Sequence, residues 1–411
     1  MTNKTNNSLG FTGVITSMAS FNAEVGDNAG SRTTNKGVFY ATHYKMKWLI
    51  RNYYARTRGE DSVLVKGKRY LKDGALAVQT LEERLSDVFK IDNKALKALD
   101  TDELLNLIVE KQDVKNFGIA LAITGQNAKI TGVSQLSYAK NIYEDTEEQD
   151  IQINGAYASK TGAGNNTLGR RKFLDFANYV YNFTVQPSNL SSDIVGFDLE
   201  NKYTEDDYKW FKRGMLKSVQ DNQSSSSGSE VAYGMFIDLK DGEDLVQSNF
   251  SDYITCTDVE DSDEKTTREQ KVVDFTKLAE YISKITDAIE YSEIYLVDNI
   301  SIKFEGVEEL EKHGVVIKNM SDSRKIWFRS FGTMTNNIVL KPRNIQHIKP
   351  IWFWYNDKQH SVKIPLRLRY FDRMFWYNDK QHSVKTIDLI LTFQHMFWNN
   401  DKQHGVKTHD F

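Results

Sequence analysis

Cysteine is almost missing from this chain: one thiol, Cys256, in 411 residues. A lone thiol excludes an intrachain disulfide and a cysteine-built zinc site, and it fits a reducing, cytoplasmic setting. Proline is scarce too, with three of its four residues beyond position 340. No apolar run reaches the roughly 18 residues a membrane span needs, and Met1–Gly10 is polar. Neither a membrane anchor nor a secretory signal is expected. Histidine is thin outside the last stretch, where only His43 and His313 occur, so a His-based catalytic site in the body of the chain is not expected. A Gly-rich phosphate loop ending in Gly-Lys-[Ser/Thr] and an HExxH pair are also missing. The sequence therefore reads as non-catalytic, with no cofactor and no metal.

What is present is apolar mass and sorted charge. Hydrophobic residues make up 40% and aromatics 12%, enough to bury a sizeable core. The formal charge of −3 conceals segregation. Residues 1–72 hold 12 Lys/Arg against 4 Asp/Glu, residues 240–270 hold 3 against 10, and residues 341–411 hold 12 against 6. A basic first segment in an otherwise acidic chain suggests a local polyanion surface, or simply a solvated face. The acidic segment is a poor candidate for nucleic acid.

Phe11–Phe21 reads as a strand rich in β-branched and aromatic residues, followed by a Gly/Asn/Asp loop. From Tyr40 the pattern turns helical: Met46, Leu49, Ile50, Tyr53 and Tyr54 share one apolar face, with Tyr44, Lys47, Trp48, Arg51 and Arg58 on the other. Residues 74–111 are expected to be helical, Phe117–Thr124 a short buried strand, and Ile130–Tyr143 a hairpin. Phe173–Val185 fits either period; its aromatic and β-branched content favours strand. Thr204 is a good N-cap with three acids in the first turn, opening a helix whose buried stripe is Tyr208, Phe211, Met215 and Val219. Val231–Leu239 reads as a strand, 274–290 as a helix and 293–303 as a strand. With the insertions set aside, the order is strand, helix, strand, strand, helix, strand. That is an α+β, ferredoxin-like arrangement, also used by RNA-recognition modules.

Four short motifs occur in that order: Lys47, Arg51 and Asn52 in KWLIRN; Asp113, Lys115, Phe117 and Gly118 in DVKNFG; Gly132-Val133-Ser134-Gln135; and Gly169-Arg170-Arg171-Lys172. Their types and spacing resemble the backbone subunit of CRISPR surveillance complexes, the Cas seven family, and most of all its type I-B and I-C members. The resemblance spans roughly residues 11–318. The chain departs from the family at Asn22–Asn28, which lacks the family's prolines, at Val133 in place of Pro, and at Trp48 in place of a basic residue. The Ser224–Ser229 run stands where relatives often carry Arg, and reads equally as a passive linker or a cradle of hydroxyls and amides.

The resemblance implies a modified RNA-recognition palm (1–58, 113–127, 169–240 and 272–340), a helical finger over 59–112, a β-hairpin thumb over 128–168 and an acidic insertion over 241–271. It implies many copies along one guide RNA (crRNA), together with Cas five and Cas eight type subunits, target DNA and no membrane. A guide of arbitrary sequence needs contacts blind to base identity, made to phosphates and by stacking. Arg32, Lys36, Lys45, Lys47, Arg51, Arg170, Arg171 and Lys172 have suitable chemistry, with Lys47, Arg51, Arg170 and Arg171 expected to face the guide backbone. Leu136, Tyr138 and Ile142 supply a wedge that pushes a nucleotide aside, or else bury in the palm. Two alternatives stand beside this reading. In one, Asp27 cleaves RNA as in type III relatives, against the plainer role of Asp in such loops, an Asx turn. In the other, the chain is a generic single-copy RNA-recognition-like module.

The end of the chain has another character. FWYNDKQHSVK occurs at 353–363 and 375–385, and FWNNDKQHGVK at 397–407, with unrelated 11-residue stretches between. Repeat proteins keep one pattern of core positions through each unit, which this region does not. A 22-residue period is 66 nucleotides, the layout of a CRISPR array, so the reading frame is expected to leave the gene near 319–345 and enter an array. The rivals are an aromatic, basic nucleic-acid-binding tail and a metal tract through His360, His382 and His404. Residues 341–411 are expected to lie outside the globular fold.

Overall fold

The computed structural model describes residues 2–24, 30–72, 74–123, 126–158, 166–192, 199, 202–223, 228–243, 245, 249–259 and 270–321, with four short strands between 351 and 396. It divides into two compact units, Met1–Ser323 and Arg324–Phe411.

The first unit is built on a nine-stranded sheet. Its strands are β1 (Ser8–Ala19), β2 (Tyr40–Ala41), β3 (Ser134–Leu136), β4 (Ala139–Asn141), β5 (Glu148–Ala158), β6 (Asn166–Val185), β7 (Ser229–Leu239), β8 (Ile289–Leu296) and β9 (Val316–Asn319). They lie in the order β9-β8-β7-β1-β6-β4-β2, with β3 and β5 also paired to β6. The four central strands run antiparallel, Phe11 facing Asn182 on one side and Met235 on the other.

Alternation along β1 sends Leu9, Phe11 and Ile15 to one face and Thr12, Val14 and Thr16 to the other. The first face packs, with Val180, Tyr233 and Met235, on Phe275, Leu278, Ala279 and Ile282 of a helix spanning Thr276–Ile285. The second is covered by α1 (His43–Arg58) and by the long helix Glu205–Asp221. Ring contacts such as Phe183 with Phe211, at 5.3 Å, bind sheet to helix. The two helices touch where Gly214 lies against α1: a Cβ there would stand 2.8 Å from Ile50 Cγ2.

Thr204 caps its helix as the sequence indicates, and Asp207 returns the contact in a reciprocal capping box. Other expectations need correction. Within the stretch expected to be helical, Ala75–Val78 pairs as a strand with Arg69–Lys72, and helix begins only at Leu81, after a Thr80–Glu83 capping box. Ile130–Tyr143 is not a hairpin: β3 and β4 each pair with β6, while Gln126–Thr131 pairs with Ile119–Ile123. The long hairpin lies later, where β5 pairs with the first half of β6. The 274–290 helix stops at Ile285, and the strand after it runs Ile289–Leu296 rather than 293–303.

Among the described residues no helix is long and apolar enough to cross a membrane, and no cluster of His, Cys, Asp and Glu is arranged to hold a metal ion. Arg324–Phe411 contributes two described hairpins, Ile351–Asp357 with His360–Leu366, and Leu389–Ile390 with His395–Met396.

Candidate nucleic-acid interface

Helix α1 has no acidic residue in sixteen and five cations, Lys45, Lys47, Arg51, Arg56 and Arg58. Its start is fixed by Thr42, whose hydroxyl accepts from Lys45 N, while Asn22 Oδ1 accepts from both the amide and the hydroxyl of Thr42. Its buried stripe is the one the sequence shows, Met46, Leu49, Ile50, Tyr53 and Tyr54.

The C-terminal cations are engaged inside the unit. Arg56 meets Asp221, and Arg58 donates to Gln112 and lies over the Trp210 ring. Arg51 is engaged as well. Its Nε is 3.2 Å from Oδ2 of Asp113, a carboxylate with no exposed surface that also accepts from Leu64 N and Val65 N. Arg51, which the sequence reading places on the guide backbone, has its Nε on a buried carboxylate that fastens the loop at 64–65 to α1.

Lys45 and Lys47 differ. Lys45 lies over the Trp48 and Phe21 rings, and Lys47 over Phe117. Lys47 is pulled down to about 8, by burial first and by the positive charge of Arg51 second. Burial lowers Lys45, and burial followed by Lys47 lowers His43. Among the described residues no carboxylate contributes to these three shifts. Partly desolvated cations without a counter-charge form a site that an anion would stabilise.

Exposed rings edge this site. Tyr44 is 67% exposed, Trp48 53% and Tyr138 52%. Tyr138 meets His43 edge-on at 5.0 Å and Tyr40 at 5.9 Å. Lys140, in register with Tyr40 on the neighbouring strand, brings a further exposed cation. Of the three wedge candidates, Leu136 is buried and Ile142 packs against the core, so only Tyr138 is presented outward. Lys140 and Tyr40 escaped sequence reasoning because their place beside α1 depends on the β2–β4 pairing, a hundred residues apart. His43 escaped it as well, although its i, i+4 spacing to Lys47 puts both on one helix face.

The remaining predicted cations do not join this cluster as a group. Arg170 and Arg171 are neighbours in β6 and so point to opposite faces of the long hairpin. Arg171 shares its face with Ile151, directly across the ladder, and by parity with Tyr179, which packs on Phe21 beneath Lys45. Arg170 and Lys172 share the other face, where Lys172 is 3.4 Å from Glu148. Arg32 pairs with Glu24 at 3.7 Å, and Lys36 is exposed in the turn that follows it. Asp27, and Ser224 to Ser227 of the serine run, lie outside the described residues.

The other two motifs join to each other. Gly118 sits at φ +71°, and a Cβ on Gly132 would fall 2.3 Å from Gly118 N. Val133 N donates to Lys115 O, and Ser134 Oγ to Asn116 Oδ1. Lys115 itself pairs with Asp207 at 3.0 Å. Both motifs therefore build the floor under Phe117, the ring on which Lys47 and Arg51 rest.

Fold and surface together define a class: an α+β protein presenting a cationic, ring-edged helix face. The family model for CRISPR-associated protein Cas7 matches residues 10–276, well over half of the chain, and the chain belongs to that family. No curated protein matches the sequence. Among solved structures, a chain of a "CRISPR RNA-guided surveillance complex, pre-nicking" is 11% identical, with a TM-score of 0.43 over 75% of this chain and 99% of that one. A chain of a "CRISPR RNA-guided surveillance complex" is 12% identical, TM-score 0.34, over 71% and 90%. A chain of a type III-B Cmr-beta complex bound to cognate target RNA is 10% identical, TM-score 0.30, over 55% and 59%. The assignment rests on the family match and not on these likenesses.

Proposed function

We propose that this chain is a non-catalytic scaffold that binds guide RNA without regard to sequence. Several copies line one crRNA in a complex that targets DNA, of type I-B or I-C, with Cas five and Cas eight type subunits, in the cytoplasm. The observation that carries the reading is the α1 face: Lys45 and Lys47 partly desolvated with no carboxylate partner among the described residues, beside the exposed rings of Tyr44, Trp48 and Tyr138. Point cations take phosphates and rings take bases, and neither reads base identity. The antiparallel order β7-β1-β6-β4, with α1 and Glu205–Asp221 on one face, supports a ferredoxin-like palm for this surface. The β5–β6 hairpin, carrying exposed Ile151 and Ile153, is the proposed thumb.

The test is the mass of the purified particle together with the length of RNA it protects from nuclease. A scaffold gives several copies on one long RNA. A single copy on a short footprint would replace this reading with a generic RNA-binding module. Cleavage of guide-complementary RNA that is lost in Asp27→Ala would overturn the non-catalytic assignment.

A further inference from the structure

The three tail blocks agree too closely, and the stretches between them too poorly, for selection on a folded repeat. The first two blocks are identical at all eleven positions, and the third differs only at Asn399 and Gly405. Each difference needs one nucleotide: a Tyr codon becomes Asn, and a Ser codon of the AG type becomes Gly, by a change at the first base. The intervening stretches, 364–374 and 386–396, have equal length but agree only at Phe371/Phe393 and Met374/Met396.

The described hairpin sharpens the contrast. Ile351–Asp357 pairs with His360–Leu366, so the structural element overruns the block at both ends. Its end pairs are Ile351 with Leu366 and Trp352 with Pro365. One period later the same positions hold Arg373 with Asp388 and Met374 with Ile387. Selection for this hairpin would keep its paired ends in character. Here the block is kept letter for letter and the paired ends beyond it are scrambled. Constancy that ignores protein structure belongs to the DNA.

We infer that the chain from Phe353 onward is translated CRISPR repeat–spacer DNA, and that its constant block encodes, in one orientation, the repeat-derived part of the RNA this protein grips. Eleven codons make a 33-nucleotide constant block in a 66-nucleotide period, with 33 variable nucleotides between. The second half of the inference rests on the guide-RNA reading above and gives its ligand an identity: a constant flank written in the codons of Phe-Trp-Tyr-Asn-Asp-Lys-Gln-His-Ser-Val-Lys, around a spacer of the kind that reads as residues 364–374 or 386–396.

Two measurements test it separately. The coding DNA of residues 353–363 and 375–385 is expected to match at every nucleotide, third codon positions included, and that of 397–407 at all but the two bases named. Synonymous differences scattered through the blocks would overturn the array origin, since they mark selection on amino acids. RNA purified with the full chain from its own cells is then sequenced. A constant flank equal to the block's coding sequence or its complement is expected. RNA with an unrelated flank would overturn the ligand assignment and leave the scaffold reading intact. Absence of bound RNA would overturn the scaffold reading, and the DNA comparison would still decide the origin of the tail.

Discussion

Arg51 Nε stands 3.2 Å from Oδ2 of a fully buried Asp113, and both oxygens of that carboxylate also accept backbone amides, those of Leu64 and Val65. A basic residue on the outer side of α1 thus serves the fold. Removing Asp113 strands Arg51 and two amides together. Asp113→Ala is expected to cost about 3–5 kcal/mol, the usual loss when one member of a buried pair is deleted. Asp113→Asn keeps an acceptor and is expected to lose less. Urea unfolding of the purified variants measures both.

Lys47 and Arg51 sit one turn apart on α1, yet their substitutions are expected to act differently. Lys47→Ala should weaken binding about equally for RNAs of unrelated sequence and lower the slope of log affinity against log salt by roughly one, for one lost phosphate contact. Stability should hold. Arg51→Ala should act mainly on the midpoint of unfolding. Fluorescence anisotropy across a salt series, paired with thermal melts, separates the two.

Lys47 is expected to set a pH dependence of RNA binding. Its value of about 8 in the free protein reflects burial and the Arg51 charge. A bound phosphate favours the protonated form and raises that value. Binding is then strongest below about pH 8 and weakens as pH climbs from there through the raised value of the complex. Lys47→Arg, which stays charged across this range, is expected to flatten the profile between pH 7 and 10.

Gly132 is expected to tolerate no side chain. A Cβ there meets Gly118 N at 2.3 Å and Phe117 C at 2.5 Å, and backbone has no rotamer with which to give way. Gly132→Ala should cost about 1–3 kcal/mol, typical of an overpacked contact. Because this contact supports Phe117, the cation–ring contacts of Lys47 should loosen with it. Melting curves and RNA titrations of the variant are expected to fall together.

The helix at Glu205–Asp221 was legible because its information is local: a Thr204 cap, three acids and a period-3.6 stripe within seventeen residues. The buried side of α1 was legible for the same reason. Ala75–Val78 was not. The helix preference of Ala and Leu there yields to pairing with Arg69–Lys72, and the one usable signal is the Asp73-Gly74 turn pair, with Gly74 at φ +79°. The fate of Arg51 was illegible because its partner lies 62 positions away. Arg170 and Arg171 are adjacent in one strand, so alternation sends them to opposite faces. Type and spacing identified the motif residues as important. Only the fold shows that the DVKNFG and Gly132–Gln135 segments form the floor under Phe117, while Lys45 and Lys47 lie over rings.

The central claim is that the α1 face holds the RNA. Ultraviolet crosslinking of the complex, followed by mass spectrometry of the linked peptides, tests it most directly. The expected adducts fall on Tyr44, Trp48 and Tyr138, with the same pattern for guides of unrelated sequence. Adducts confined to other faces of Met1–Ser323, or a pattern that changes with guide sequence, would contradict it.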